Sequence, residues 1–324
     1  MSVSSAPSGQ TLLIRGSRIP RSDGAGCVAT IGNFDGLHRG HQAVVRQLKR
    51  VAVERGLPAA VVVFEPQPAE FFCPDRAPGR ILRFREKFEG LRALGVDRVV
   101  ALRFSHALAS MAAETFVGDV LVEGLGVRHL VVGDDFRFGK GRAGDFALLE
   151  TLGAARGFGV ERMHTFDLDG ERVSSTRVRT ALAAGNYAEA ERLLGRGYRI
   201  GGCIVHGGKL GREIGFPTIN IPMRRNRSPV SGIFAVRVFG AGLDGWPGVG
   251  YVGRRPTVQG VDEHLEAHLF DFSGHLYGLR AQVEICGHLR EDRRFDTVEA
   301  MTAQIHRDAE AARHYFENQH VQPS

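Results

Sequence analysis

The sequence predicts two domains: an α/β domain built on a parallel sheet, and a C-terminal antiparallel β-barrel followed by a terminal helix. With 324 residues, the chain is longer than one hydrophobic core usually supports. Up to about Gly157, short apolar runs alternate with amphipathic stretches, a pattern that indicates strands alternating with helices. Beyond Gly197, short alternating segments are separated by glycines, which is typical of a compact antiparallel sheet.

The apolar runs of the first domain predict its strands, and the amphipathic stretches predict its helices. The predicted strands cover residues 28–31, 60–64, 98–102 and 129–132. The predicted helices cover residues 41–55, 85–94, 146–158 and 176–184. Because parallel sheets bind ligands at the carboxyl ends of their strands, the motifs that directly follow these runs are the candidate site.

A change of pattern after Asn186 predicts the domain boundary, which gives a first domain of residues 1–186 and a second of residues 187–324. The strands predicted for the second domain cover residues 200–205, 233–238, 249–252, 265–272 and 282–286. A helix over 297–316 ends the predicted structure. Its expected buried stripe consists of Ala300, Met301, Ile305 and Ala309.

The composition indicates a globular, cytoplasmic protein. Apolar residues make up 43% of the chain and charged residues 24%, which allows both a core and a soluble surface. The net charge of +6 is spread over single arginines, so small anionic substrates explain it at least as well as a nucleic acid does. The four cysteines stand too far apart for a zinc motif, which predicts reduced thiols. The N-terminus lacks the apolar core of a signal peptide, and no apolar run is long enough to span a bilayer.

The candidate phosphate site of the first domain follows the first predicted strand and opens a helix. The segment reads Gly32-Asn33-Phe34-Asp35-Gly36-Leu37-His38-Arg39-Gly40-His41. A helix N-terminus offers unpaired backbone N–H groups and a partial positive charge, and both stabilise a phosphate. His38 and His41 lie one helical turn apart with Gly40 between them, so both imidazoles can reach one phosphate. A tight turn with histidines that merely cap the helix would account for the same residues.

A second segment suited to anions starts a later predicted helix. It reads Ser174-Ser175-Thr176-Arg177-Val178-Arg179. Helix capping needs only one hydroxyl residue, whereas this segment has three, followed by two arginines. Together the two segments can hold a nucleotide, with the α-phosphate at the histidines and the β- and γ-phosphates at the hydroxyl groups.

These two segments resemble the nucleotidylyltransferase superfamily, and residues 133–139, GDDFRFG, followed by Gly144-Asp145, narrow the resemblance. They are similar to a loop of the bacterial bifunctional riboflavin kinase/FMN adenylyltransferase family. The resemblance implies a Rossmann-like sheet in the first domain, with His38 and His41 stabilising charge on the α-phosphoryl group. It implies pyrophosphate binding by Ser175, Thr176 and Arg179. The further ATP contacts that it implies are Gly32, Asn33, Phe34, Gly36, Gly40 and Ser174, and the flavin contacts are Asp135, Phe136, Arg137, Phe138 and Asp145.

Gln67 departs from the family pattern, because many relatives carry histidine at this position. We assign the surrounding segment, residues 64–68, to shaping the FMN pocket. The two prolines of this segment are equally consistent with a stiffened end of a strand and no role at the site.

The second domain lacks the phosphate loop and catalytic motifs of common kinases, yet its first part is rich in glycine. Six glycines lie from Gly201 to Gly215, more than one β-turn requires. Such a loop can bend its N–H groups around phosphate oxygens. Its candidate contacts are Gly207, Lys209, Gly211 and Gly215. Thr218 and Asn220 then place two neutral oxygens on one side of an extended chain, which suits Mg²⁺ bound to ATP, although a glycine-rich hairpin would account for the same segment.

Residues 215–220, GFPTIN, resemble the marker of the riboflavin kinase domain of the same family, with Ile219 in place of alanine. Residues 266–272, EAHLFDF, are similar to the strand that carries this family's general base. The resemblance implies that Glu266 accepts the proton of the riboflavin 5′-hydroxyl group, and that Arg290 and Phe295 lie near the flavin. Two neighbouring motifs depart slightly from the family pattern, at Val258 and Asp292.

Together these resemblances imply an enzyme that makes FAD from riboflavin. Its implied partners are riboflavin, FMN, FAD and ATP, with Mg²⁺ as the metal, and we expect no nucleic acid, no membrane, and a monomer or weak homo-oligomer. Three alternatives stay open: only one half is active, the chain is an HxGH-type nucleotidyl transferase linked to RNA, or it carries a flavin without turnover.

Overall fold

Two compact units make up the computed structural model of this chain. The structure describes residues 10–16, 26–133, 135–163, 165–207, 215–225, 227–257 and 260–319. The first unit consists of Met1–Pro78 and Phe84–Ser174, and the second consists of Gly79–Arg83 and Ser175–Ser324.

A six-stranded parallel sheet forms the centre of the first unit. Its strands are β1 (Leu12–Gly16), β2 (Cys27–Ile31), β3 (Ala59–Glu65), β4 (Arg98–Arg103), β5 (Val127–Gly133) and β6 (Gly159–Met163). Their order is β1-β4-β3-β2-β5-β6, and each neighbouring pair is parallel. The central strand β2 is buried along its whole length, as expected for a strand covered on both faces. The predicted parallel α/β domain is confirmed.

Helices pack on this sheet and complete the first unit. They are α1 (Arg39–Arg55), α2 (Pro68–Phe72), α3 (Phe84–Ala93), α4 (His106–Ala109), α5 (Ala113–Thr115) and α6 (Phe146–Arg156), with a π-helical segment at Phe116–Gly124 and 3₁₀ turns at Pro74–Arg76 and Lys140–Arg142. Two short strands, β7 (Asp167–Leu168) and β8 (Glu171–Arg172), form a separate hairpin. Left-handed glycines, Gly56 and Gly157, end α1 and α6, and the second of these ends α6 before the predicted limit at residue 158.

The strand order places the two motif-bearing loops of the first unit side by side. From β2 the chain adds β3 and β4 on one side of the sheet, and it later adds β5 and β6 on the other side. The sheet therefore has a topological switch point between β2 and β5, where parallel sheets form their ligand crevice. The histidine segment follows β2 and the GDDFRFG segment follows β5, so both lie at this crevice.

The second unit is a nearly closed antiparallel sheet, as predicted. Its strands are β9 (Arg199–Cys203), β10 (Ile219–Pro222), β11 (Gly232–Gly240), β12 (Leu243–Thr257), β13 (Gly260–Leu269) and β14 (Arg280–Arg290). The order is β10-β13-β12-β11-β14-β9, with antiparallel neighbours throughout. The two ends of the sheet approach each other, because the Val205 backbone N–H donates to the Asn220 carbonyl oxygen at 2.9 Å.

In the described part of the second unit, three helices are present: α7 (Ser175–Ala183), α8 (Tyr187–Leu194) and the C-terminal α9 (Val298–Gln319). In α9, Ala309, Ala312 and Phe316 pack against apolar side chains of the sheet. The expected buried stripe is wrong at its start, because Ala300 is exposed and the buried face also includes polar Gln304 and Asp308. Among the helices in the described part of the chain, none is long and apolar enough to cross a membrane.

In the sequence, the first unit ends at Ser174 and the second continues from Ser175, whereas the predicted domain boundary follows Asn186. Helices α7 and α8 contact each other, and α8 contacts β14, which places both helices in the second unit. The predicted boundary after Asn186, as a division between independently folding domains, stays a prediction.

The second unit also includes the short segment Gly79–Arg83, because the side chain of Arg225 holds it. Arg225 Nη1 donates to the carbonyl oxygens of Arg80 at 3.1 Å and Ile81 at 3.0 Å, and it lies 2.8 Å from the Tyr198 hydroxyl. A buried guanidinium needs several acceptors, and these backbone carbonyls supply them.

His129 on β5 is a buried imidazole whose titration affects stability. Burial lowers its pKa below the usual 6.5, and the positive charge of Arg55 acts in the same direction, while Glu161 opposes both. His129 Nε2 lies 3.5 Å from Glu161 Oε2. In the unfolded chain the same imidazole protonates near pH 6.5, so at mildly acidic pH the unfolded state binds more protons than the folded state.

We therefore expect the free energy of unfolding to decrease as the pH falls below about 6.5. His129→Leu removes the titrating group, and it should make the urea midpoint of unfolding less dependent on pH between about pH 7 and pH 5. The control is His314→Leu on the exposed surface of α9, which should leave the parental pH dependence intact. An equal pH dependence in the parent and His129→Leu would contradict this account.

Candidate functional sites

The loop after β2 presents the N-terminus of α1 at the crevice of the parallel sheet. His38 is the N-cap of α1, and its Nδ1 accepts a hydrogen bond from the His41 backbone N–H at 3.3 Å. Phe34 and Leu37 both have a φ of 47°, a conformation that non-glycine residues adopt at a cost and that is common at functional sites. A Cβ on Gly40 would lie 3.1 Å from the His38 ring, so the glycine gives the imidazole its space.

The two histidines of this loop form a stacked pair. The ring centroids of His38 and His41 are 3.7 Å apart, and the ring of Phe34 lies 4.9 Å from His41. His41 Nδ1 is buried and has no hydrogen-bond partner among the described residues. The helix-cap interpretation is therefore correct for His38, but it does not account for the second imidazole. A buried nitrogen without a partner at a helix N-terminus suits an anionic ligand.

Burial and nearby positive groups together set the charge state of His41. Burial is the largest cause that holds the pKa of His41 well below its usual 6.5, and His38, Lys87 and Arg172 lower it further. His41 is therefore neutral at pH 7. A phosphate bound beside it would favour the protonated form, because an opposite charge nearby stabilises the imidazolium ion.

The positive charge of Lys87 acts on His41, an interaction that the sequence did not indicate. Lys87 lies on α3 and is 0% exposed. Its positive charge lowers the pKa of His41. A lysine in an amphipathic helix is normally read as a solvated residue. The burial of Lys87 could have been predicted from its position four residues before Leu91, because residues at this spacing lie on the same face of a helix. Leu91 is buried, so Lys87 lies on the buried face of α3.

The loop after β5 was also predicted to contribute to the site, and its charged side chains form ion pairs. Asp135 Oδ2 accepts from Arg172 Nη2 at 2.9 Å, and Arg137 Nη1 lies 3.7 Å from Asp145 Oδ2. Asp145 also caps α6, because its Oδ1 accepts from the Leu148 backbone N–H at 3.0 Å. Part of the role of Asp145 is thus structural, and its flavin contact stays a prediction.

The two phenylalanines of the same loop form a small aromatic surface. The rings of Phe136 and Phe138 are stacked with centroids 5.6 Å apart. A Cβ on Gly144 would lie 2.6 Å from the Phe138 ring, so the glycine permits the close approach of the two strands of this loop. The stacked rings lie at the crevice that follows β5.

Gln67 begins the short helix α2 after β3. Its backbone N–H donates to Glu70 Oε2 at 2.9 Å, and its side chain is buried. The segment therefore acts as a helix start at the carboxyl edge of the sheet, while its contribution to an FMN pocket stays a prediction.

The hydroxyl-rich segment spans the boundary between the units. Ser174 ends the first unit, and Ser175 and Thr176 begin α7 in the second unit. Arg179 Nε donates to the Gly79 carbonyl oxygen at 2.7 Å, and its side chain lines a cavity of the second unit. The joint action of this segment and the histidine pair on one nucleotide stays a prediction.

In the second unit, the sheet brings the candidate metal and base residues together. Asn220 on β10 is paired with Glu266 on β13, and Tyr251 on β12 is paired with Glu266 from the other side. Residues directly opposite each other in an antiparallel sheet have side chains on the same face. Asn220 Nδ2 lies 3.2 Å from Thr218 Oγ1, so the two neutral side chains of the GFPTIN segment are also in contact.

Two glycines of the glycine-rich segment, Gly207 and Gly215, permit the observed position of Asn220 and of the chain before it. A Cβ on Gly207 would overlap the Asn220 amide, so only glycine permits the observed approach. Gly215 has a φ of 81° and precedes the extended segment. Lys209 and Gly211 lie outside the described residues.

Arg290 and Phe295, predicted near the flavin, lie between the sheet and α9. Arg290 Nε and Nη2 donate to the two carboxylate oxygens of Asp308 at 2.8 and 2.7 Å, and Nη1 donates to the Glu291 carbonyl oxygen. The Phe295 ring centroid is 5.8 Å from the guanidinium carbon. This bidentate pair fastens α9 to β14, and a flavin contact from Arg290 stays a prediction.

In comparisons with known proteins, two different family models match the two parts of the chain. A family model for FAD synthetase matches residues 21–177, and a family model for riboflavin kinase matches residues 194–316. A bifunctional riboflavin kinase/FMN adenylyltransferase of Pseudomonas fluorescens is 51% identical over 304 residues, which cover 93% of this chain and 96% of the relative. The protein of the same description from Escherichia coli K12 is 48% identical over 94% of this chain and 97% of the relative.

A solved structure is similar along nearly the whole chain. It is a crystal structure of a Streptococcus pneumoniae protein described as a macrolide-efflux protein, with a TM-score of 0.76 and 28% sequence identity. The similarity covers 93% of this chain and 99% of that protein. The two-part architecture is therefore shared by a protein of known structure.

Proposed function

Because the chain belongs to the family of bifunctional riboflavin kinase/FMN adenylyltransferases, we propose that it converts riboflavin to FMN and then FMN to FAD, using ATP in each step. The observation that carries this proposal is the presence in one chain of both matched domains, each with its own group of candidate site residues. The kinase step belongs to the second unit, and the adenylyl transfer belongs to the site at His38 and His41.

In the kinase step, Glu266 is the general base. It accepts the proton of the riboflavin 5′-hydroxyl group while the hydroxyl oxygen attacks the γ-phosphorus of ATP. The bond between the γ-phosphorus and the β,γ-bridging oxygen breaks, and ADP leaves. The position of Glu266 opposite Asn220 supports this role, because it places a carboxylate beside the proposed phosphate and metal site.

The proposed metal is Mg²⁺, held by Thr218 Oγ1 and Asn220 Oδ1 together with ATP phosphates. Neutral protein oxygens combined with phosphate oxygens are ligands that Mg²⁺ accepts, and the contact between Thr218 and Asn220 fits such a shared site. When bound, the ion neutralises phosphate charge. The backbone N–H groups at Gly207, Lys209, Gly211 and Gly215 complete the proposed phosphate contacts.

In the adenylyl transfer, an oxygen of the FMN phosphate attacks the α-phosphorus of ATP, and pyrophosphate leaves as the bond to the α,β-bridging oxygen breaks. No proton transfer is required, so the protein acts by alignment and by positive charge. His38 and His41 stabilise the charge on the α-phosphoryl group, with Lys87 and Arg172 adding to the positive field that acts on His41. Ser175, Thr176 and Arg179 hold the pyrophosphate, and Ser174 is a further ATP contact.

We place both reactions in the cytoplasm, where ATP is abundant. We propose no nucleic-acid partner and a monomer or weak homo-oligomer. The charge of +6 then serves the anionic substrates, since each step binds a triphosphate.

The test is to incubate the purified chain with riboflavin, ATP and Mg²⁺, and to separate the flavins by chromatography. We expect FMN to appear first and FAD to follow, and neither to form without ATP. Supplying FMN directly measures the second step alone. Formation of FMN without FAD would favour a chain with one active half, and formation of neither would refute the proposal.

The glycine at position 207 gives a prediction specific to the kinase step. Gly207→Ala places a methyl group where the Asn220 amide lies, so we expect riboflavin phosphorylation to fall at least about ten-fold as the amide is displaced. Adenylylation of supplied FMN by the same preparation is the control, and it should stay at the parental rate. Normal FMN formation by this variant would mean that the position of Asn220 does not matter for catalysis.

A further inference from the structure

Strand β13 carries a histidine two residues before the proposed base. Side chains alternate along a strand, so His264 and Glu266 lie on the same face, while Leu265 and Ala267 face the core. The residues paired with His264 on the two neighbouring strands are Pro222 and Gly253, whose side chains offer no hydrogen-bonding groups. Two residues further along this face of β13, the polar side chain beside the imidazole is that of Glu266.

The two side chains are close and largely shielded from solvent. His264 Nε2 lies 3.1 Å from Glu266 Oε1, and the side chains are 12% and 18% exposed. The ring of Tyr251 lies edge-on to His264 with centroids 5.5 Å apart, which limits the movement of the imidazole. The imidazole and the carboxylate therefore form a confined pair.

The imidazole has no other hydrogen bond that would explain its burial. In the part of the chain that the structure describes, both ring nitrogens of His264 are buried without an aligned hydrogen-bond partner, including the nitrogen near Glu266. Buried polar atoms are normally hydrogen-bonded, so such a group needs an explanation. Hydrogen bonds between catalytic groups are often poorly aligned before substrate binds and become tighter in the complex.

We propose that His264 is a positioning residue of the kinase site, whose Nε2–H group donates a hydrogen bond to Glu266 Oε1 and turns Oε2 towards the substrate hydroxyl group. The inference rests on the proposed function, since it assumes that Glu266 is the base. The hydroxyl proton passes to Oε2 as the oxygen attacks the γ-phosphorus and ADP leaves, and the hydrogen bond at Oε1 persists throughout.

A fixed carboxylate matters because glutamate has three rotatable side-chain bonds. A base held by a second residue presents its oxygen at the reacting atom more often than a freely rotating one does. Losing the hydrogen bond to a charged group should therefore lower kcat by about ten-fold to a hundred-fold. The KM values should change little, because the imidazole contacts the base and not the substrate.

The test compares two variants of similar side-chain length. His264→Gln keeps an N–H donor, whereas His264→Met has none. We expect the methionine variant to lose about ten-fold to a hundred-fold in kcat for riboflavin phosphorylation with KM values within about two-fold, and the glutamine variant to recover most of the loss. His314→Met is the matched control, because His314 Nδ1 lies 3.0 Å from Glu317 on the exposed surface of α9.

A double variant separates positioning from packing. In a Glu266→Gln background, His264→Met should lower the remaining kinase rate no further, because there is no carboxylate left to position. A packing role predicts the same loss in both backgrounds and no recovery by glutamine, and either result would overturn the inference. Parental kcat in His264→Met would overturn it as well.

The proposed function and this inference can fail separately. If the parental chain forms no FMN, the proposed function fails. If the parent forms FMN and the methionine and glutamine variants are equally active, only the inference fails. Circular dichroism and the urea midpoint of each preparation report whether the variants are folded. If the methionine variant does not fold, the glutamine variant still decides the question: because it keeps the N–H donor, a loss of about ten-fold or more in its kcat for riboflavin phosphorylation overturns the inference.

Discussion

His41→Ala is expected to lower the rate of FAD formation from FMN by about 10²- to 10³-fold while leaving FMN formation from riboflavin unchanged. Removing one preorganised donor at a developing charge costs about 3 to 4 kcal/mol of transition-state stabilisation. The imidazole of His41 stacks on His38 and is surrounded by positive groups at the start of α1, so its position is set before substrate binds. The loss should therefore appear in kcat for adenylyl transfer.

The measurement is a single-turnover assay of FMN and ATP with chromatographic separation of the flavins. His314→Ala is the matched control, because this histidine lies on the exposed surface of α9. FAD formation at the parental rate by the His41→Ala protein would show that the stacked pair is not the adenylyl-transfer site.

Glu266→Gln is expected to lower FMN formation from riboflavin by about 10²- to 10⁴-fold, because the amide cannot accept the hydroxyl proton. Glutamine has nearly the shape of glutamate, so the pairing of β13 with β10 and β12 should be retained. Conversion of supplied FMN to FAD should continue at the parental rate, since that step uses the other site.

Both steps can be followed in one preparation by supplying either riboflavin or FMN. Glu317→Gln changes an exposed glutamate of α9 and serves as the matched control. Mixing Glu266→Gln protein with His41→Ala protein should restore FAD formation from riboflavin, because each supplies the step that the other lacks. Undiminished kinase activity in Glu266→Gln would exclude Glu266 as the base.

The elements that the sequence predicted well are those whose burial follows from a local pattern. The apolar runs that form β2, β3, β4 and β5 are buried along most of their length, so each run can be recognised from its own residues. Strand β6 was missed because its sequence, GVERM, contains as many polar as apolar side chains. Strand β1 was missed because it lies at the edge of the sheet and pairs with β4, far away in sequence.

The candidate sites show the same limit. The histidine segment directly follows β2, and the GFPTIN segment runs into β10, so both motifs lie within short stretches of sequence and could be found from it. Lys87 could not be assigned in this way, because it lies on α3 whereas His41 follows β2, and only tertiary packing lets its charge act on His41. Strand alternation places His264 on the same face as Glu266, but the burial of this pair could not be predicted from the sequence. The ion pair of Arg290 with Asp308 likewise depends on how α9 packs, which the sequence did not indicate.

By itself, the sequence determined that this chain has a parallel α/β part followed by an antiparallel barrel, and it marked the candidate anion-binding segments, because hydrophobic periodicity and glycine positions act locally. The tertiary structure decided that a buried lysine on α3 acts on the stacked histidines, and that the imidazole and the glutamate on β13 are largely shielded from solvent. The physical reason is that electrostatic and hydrogen-bonding contacts depend on distance and burial, which strand order and helix packing set between residues far apart in the chain.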